Sequence, residues 1–146
     1  AYSRVVPEAI FLQTIGQLFV TRVAGNYPDD LVIGSLEYAV EHLGTRLVMV
    51  LGHQNCGAVK AVYDAIEEKK PLPPHLATIE KGIGPGIAGI VRKDGSMMDA
   101  VEANVRAAAA TLRASGPVLS EAANAKRIRI VGGVYRLGSG EVQLLE

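Results

Sequence analysis

The sequence predicts an α/β domain with a mostly parallel central sheet, flanking helices and an antiparallel strand at one edge. Three observations carry this. The continuous apolar run Leu47-Val48-Met49-Val50-Leu51, ending at Gly52, reads as a strand buried on both faces. Segments with helical spacing alternate along the chain with β-branched runs, the order that builds a parallel sheet. Near the C-terminus the alternating stretch Arg127 to Leu137 meets Gly138-Ser139-Gly140, and a last short strand, Val142 to Leu145, returns beside it.

The elements follow in order. Pro7 and Glu8 open a short helix through Leu12, with proline in the first turn, where its missing N–H costs nothing. Leu18 to Ala24 is apolar and β-branched and predicts a strand, broken by Gly25-Asn26-Tyr27-Pro28. Asp29 and Asp30 precede Leu31, Ile33, Leu36, Val40 and Leu43. These recur at steps of three and four and end at Gly44, which predicts a helix. A further helix spans roughly Ala58 to Lys69, and Pro71-Leu72-Pro73-Pro74 forms a loop. The alanine-rich stretch Met97 to Ala114 is helical and stops at Gly116-Pro117, before a shorter helix around Leu119 to Ala125. No repeat, low-complexity tract or linker divides the chain, so residues 1–146 are expected to form a single domain.

Composition excludes several classes. With 49% hydrophobic and 21% charged residues, the 146-residue chain has the balance of a globular domain, not of a disordered one. At this length, folding buries about two-thirds of the surface an unfolded chain exposes. Fifteen basic residues balance fifteen acidic ones, without the basic excess of a nucleic-acid binder. No apolar run is long enough to cross a membrane. Cys56 is the one cysteine, so an internal disulfide is impossible and its roles reduce to free thiol or metal ligand.

Few residues carry chemistry. Gly84-Pro85-Gly86-Ile87-Ala88-Gly89 has the form of a dinucleotide fingerprint but lacks the preceding strand and the acid about 20 residues on. It reads instead as a flexible joint between helices. His53 and Cys56 are better placed, just past the C-terminal end of a strand, where open α/β sheets build their sites. A histidine and a cysteine three apart can face one cation across a tight turn. Cys56 also abuts a helix N-terminus, which favours the thiolate. Two donors do not complete a tetrahedral zinc shell. The residues alone therefore leave two readings open, half of a metal site or a partly buried histidine beside a small apolar cysteine. His42 and His75 have no ligand-like neighbours. Arg4, among apolar residues just before the first helix, reads equally as an anion contact and as a surface ion pair.

Successive blocks nevertheless resemble one family. Ser3-Arg4-Val5-Val6-Pro7-Glu8, Leu18 to Asn26, Gly34-Ser35-Leu36-Glu37-Tyr38-Ala39-Val40 and Leu51-Gly52-His53-Gln54-Asn55-Cys56-Gly57-Ala58-Val59 are similar, in order and spacing, to β-class carbonic anhydrases. Ile130 to Val142 resembles the closing hairpin of that family. The stretch from about Glu67 to Ala114 adds little to the likeness.

The resemblance implies four parallel strands with a further edge strand, and a homodimer or homotetramer with active sites at the subunit interface. It implies Zn2+ bound by His53, Cys56 and a cysteine that falls immediately before Ala1, and reversible hydration of CO2 to bicarbonate. The family's N-terminal helices fall upstream of these residues as well. Arg4 matches the arginine of an Asp–Arg dyad, and Phe19 and Tyr38 fall where the family lines its CO2 pocket, partly across the dimer interface. Arg22 falls where some members bind inhibitory bicarbonate. Tyr2 departs from the pattern, standing at the dyad aspartate. A phenol, with a reference pKa near 10, is mostly neutral at pH 7 and is no substitute for the anionic acceptor. Tyr2 thus keeps a second expectation open, a catalytically inactive relative that serves as a zinc-binding or interaction module.

Overall fold

The computed structural model describes residues 5–145. Six α-helices and three strands follow one another in the order α1 (Pro7–Ile10), α2 (Asp30–His42), β1 (Leu47–His53), α3 (Gly57–Glu68), α4 (Leu76–Val91), α5 (Met97–Ala114), α6 (Val118–Asn124), β2 (Arg129–Tyr135) and β3 (Val142–Leu145). A 3-10 turn, Ala24–Asn26, precedes α2.

Local chemistry sets most of these boundaries. Proline occupies the first turn of α1. The Asp29 carboxylate caps α2 by accepting from the Val32 amide at 2.9 Å, and Gly44, with φ of +69°, turns the chain away beyond its end. Ser96 and Asp99 form a reciprocal capping box at the start of α5, satisfying two amide donors that the helix itself cannot.

β1 pairs in parallel with β2, in a register that sets Leu47 beside Arg129 and His53 beside Tyr135. β2 pairs antiparallel with β3. The α/β class and the antiparallel edge are as predicted, but the sheet is smaller than expected, with two parallel strands among the described residues where four were anticipated. Leu18 to Ala24 is not a strand. Strand propensity records a fit to a pleated, half-buried neighbour, and here a cavity lies between this segment and β1. The Arg22 guanidinium donates instead to the Val5 carbonyl at 2.9 Å, and the chain enters the 3-10 turn.

The apolar core lies between the sheet and α3, α4, α5 and α6. α5 crosses both parallel strands. Its wholly buried Val105 fits there because both strands present glycine. A Cβ on Gly52 would lie 2.4 Å from Val105 Cγ2, and one on Gly132 would lie 2.8 Å from Val105 Cγ1.

β1 is fully buried on one face only. Val48, Val50 and Gly52 point into the core, while Met49 and Leu51 line the cavity and Leu47 is exposed. Among the described residues no second layer, which burial on both faces requires, covers that side. The Gly84-Pro85-Gly86 string, expected as a joint, lies inside α4. Ile83 and Ile87 on the buried face of that helix carry it through the proline, whose cost of about 3 kcal/mol in a helix interior is offset by packing.

Candidate metal site and cavity

The C-terminal end of β1 delivers His53 into a turn with Asn55 at φ of +56°, and Cys56 follows as the N-cap of α3. Both side chains are buried, with 6% of His53 and 5% of Cys56 exposed. Strand and helix thus bring the two donors together across one three-residue turn, where each favours the charged form of the other.

The Gln54 carbonyl lies 2.9 Å from His53 Nδ1. A carbonyl only accepts, so Nδ1 carries the proton, and the lone pair of the neutral ring resides on Nε2. This backbone contact is of the kind that orients metal-binding histidines.

Burial opposes ionisation of both groups, and the surrounding contacts outweigh it. For Cys56, burial raises the pKa, but the hydrogen bond from His53 and the Val59 and Ala58 amides at the start of α3 bring it below the ordinary thiol value. For His53, burial lowers the pKa, while the bonds to Cys56 and the Gln54 carbonyl hold it above the usual imidazole value. The two shifts agree, since a thiolate beside an imidazole favours the protonated ring and a protonated ring favours the thiolate.

A soft sulfur and an imidazole nitrogen, one tending to thiolate and the other oriented by its backbone contact, are chemically suited to zinc. They furnish two of the four positions a tetrahedral ion requires. Among the described residues no cluster of three or more His, Cys, Asp or Glu side chains is placed to hold a metal. Tyr2 and Arg4 lie outside the described residues.

A cavity of about 720 Å³ opens beside the pair. His53 and Cys56 line one part of it, with Phe19, Met49 and Leu51 among the apolar walls and Asn26 and Arg22 among the polar ones. Phe19 and the His53–Cys56 pair are therefore brought to one space. Tyr38 is not, since it is 53% exposed on α2 and packs against His42 with ring centroids 4.9 Å apart. His75 begins α4, apart from the cavity lining.

Asn26 is the cavity residue that sequence reasoning passed over. Its Nδ2 is buried and has no hydrogen-bond partner among the described residues. In the sequence Asn26 stands in a loop-forming Gly-Asn-Tyr-Pro string and at the end of a block that resembles the family, with no site role attached to it.

A parallel pair with an antiparallel edge, and a sulfur–imidazole pair at a strand's C-terminal end beside an apolar cavity, define an α/β protein with the donors of a soft-metal site. Residues 1–142 match the carbonic anhydrase family. The chain is 39% identical over 144 residues to a carbonic anhydrase of Mycolicibacterium smegmatis, an alignment covering 97% of this chain and 69% of that one. It is 38% identical over 146 residues to carbonic anhydrase 2 of Mycobacterium tuberculosis, covering 99% and 70%. The β-carbonic anhydrase of Coccomyxa superposes with a TM-score of 0.83 at 32% identity, covering 99% of this chain and 68% of that one. The chain belongs to the β-class carbonic anhydrases, a family of enzymes.

Proposed function

We propose that this protein catalyses the reversible hydration of CO2 to bicarbonate with zinc held by His53 Nε2, Cys56 Sγ and the cysteine that the family pattern places immediately before Ala1. The observation that carries this reading is the buried His53–Cys56 pair lining an apolar-walled cavity, in a chain of this family. Zinc, when bound, makes hydroxide available near neutral pH, carbonic anhydrases being the type case of this chemistry.

The chain's own residues supply the rest. Phe19 and the outer face of β1 offer an apolar surface suited to uncharged CO2. The Gln54 carbonyl fixes the ring of His53, and the α3 amides hold the Cys56 sulfur as an acceptor. Arg4 orients the developing bicarbonate, in keeping with its place in the family pattern.

Assembly belongs to the same reading. Of the 13 residues of α2, only Ala39 is buried, and Leu31 is 82% exposed. An amphipathic helix this poorly covered suits an interface between copies, and a homodimer or homotetramer would carry Tyr38 of one subunit toward the site of another.

Tyr2 favours a second reading, a zinc-binding relative that no longer hydrates CO2 because the dyad carboxylate is gone. CO2 hydration by zinc-loaded protein extended upstream to include the cysteine separates the two. Catalysis above the uncatalysed rate supports the enzyme, whereas stoichiometric zinc without catalysis supports the inactive module.

A further inference from the structure

Asn26 sits where the 3-10 turn meets the cavity, and its surroundings fix it from two directions. The buried Asn104 of α5 donates through Nδ2 to the Gly25 carbonyl at 2.8 Å. Gly25, at φ of +72°, lies so close to α4 that a Cβ there would stand 2.3 Å from Ile83 Cδ1. Both contacts pin the turn to the core, and Asn26 leaves it in the left-handed region, at φ of +46°. Asparagine and glycine tolerate that conformation better than other residues, so the backbone alone explains an Asn or a Gly.

The backbone does not explain the carboxamide. Buried polar groups are hydrogen-bonded with few exceptions, and an unsatisfied donor is costly. Nδ2 of Asn26 has no partner among the described residues, and the residue lines the cavity that holds His53 and Cys56. Rotation about the Cβ–Cγ bond is soft, so the amide can swing its donor edge toward a ligand with the main chain held still. Ligand sites place few polar groups in apolar walls, and those few fix orientation. Uncharged CO2 gains little from such a donor. The product does, because its oxygens carry charge.

We infer that Asn26 is a substrate-orienting residue whose carboxamide N–H donates to an oxygen of the bicarbonate-type oxyanion in the cavity. This rests on the reading of the protein as a carbonic anhydrase and adds a residue to its site. Asn104 and Gly25 act through Asn26 as positioning residues.

The test uses zinc-loaded protein extended upstream to include the cysteine, with bicarbonate as the probe. Affinity is read by 13C line broadening and, separately, as KM for bicarbonate in the dehydration direction. Two variants retain the left-handed turn: Asn26→Gly removes the donor, and Asn26→Asp replaces it with a like-charged acceptor. Zinc content and thermal midpoint of each report whether the fold and the metal site persist. A hydrogen bond to a charged group predicts bicarbonate affinity weaker by about tenfold or more in Asn26→Gly and weaker still in Asn26→Asp, at unchanged zinc content. Parent-like affinity in either zinc-loaded variant overturns the inference and leaves Asn26 a turn residue. Zinc-loaded parent protein that neither binds bicarbonate nor hydrates CO2 overturns the underlying reading and this inference together.

Discussion

Gly52→Ala tests how the core holds the site. The added methyl would lie 2.4 Å from Val105 Cγ2, where carbon atoms ordinarily rest about 3.5–4.0 Å apart. Val105 cannot easily turn away, because it is wholly buried, β-branched, and lodged by its other methyl over Gly132. Relief therefore requires β1 to move off α5 by roughly an ångström, taking His53 with it. Overpacking of this kind costs about 1–3 kcal/mol. At about 2–4 °C per kcal/mol, the thermal midpoint falls by roughly 2–12 °C, and zinc affinity drops as His53 leaves its place. Val105→Ala alone costs about 2 kcal/mol through lost burial and the void it leaves. In the double variant the two changes accommodate each other, so the combined loss is smaller than the sum by about 1 kcal/mol or more. Thermal unfolding of the four proteins of this cycle, metal-free, measures the coupling. A midpoint for Gly52→Ala within 1 °C of the parent (roughly 0.5 kcal/mol or less), or strict additivity, would refute the reasoning.

Other outcomes follow from the site and the surface. Metal binding needs deprotonated sulfur and a neutral ring. Because the pKa of His53 is raised above 6.5, protons begin to compete with zinc above that pH on acidification, whereas the lowered Cys56 value defers its own protonation to lower pH. Apparent zinc affinity, read by competition with a chelator at stepped pH, should therefore begin to weaken above pH 6.5, and an affinity independent of pH down to pH 5 would contradict the His53 assignment. Tyr2→Asp, in protein that includes the upstream cysteine, should raise CO2 hydration by ~10² to 10⁴-fold, the usual contribution of a positioned acid–base group; an unchanged rate at full zinc loading would show that the tyrosine is not what limits the site. Light scattering at micromolar concentration should give a dimer or tetramer, and Leu31→Glu on exposed α2 should shift it toward monomer; a strictly monomeric parent contradicts an interfacial site.

Legibility in the sequence tracked how locally each feature is encoded. The ends of α2 and α5 were plain because Asp29, Gly44 and Gly116-Pro117 act within a turn of themselves. The β2–β3 hairpin was plain for the same reason, with Gly140 at positive φ between two alternating runs. α4 was hidden because Gly84, Pro85 and Gly86 disfavour a helix intrinsically, and the opposing contribution comes from Ile83 and Ile87, whose value depends on core partners distant in sequence. Leu18 to Ala24 misled in the other direction, since its β-branched composition is realised as a strand only against a neighbouring edge. Of the site, His53 and Cys56 were legible because their spacing spans one strand-to-helix turn. Asn26 was not, because what distinguishes it is an unsatisfied donor beside a cavity, which spacing does not record.

The most direct measurement is stopped-flow CO2 hydration by zinc-loaded protein that includes the upstream cysteine, compared with His53→Ala and Cys56→Ser and accompanied by elemental analysis. The account predicts about one zinc per chain and catalysis above the uncatalysed rate in the parent, with zinc and catalysis lost together in both variants. Full zinc occupancy in either variant, or a zinc-loaded parent that leaves CO2 hydration at the uncatalysed rate, would contradict it.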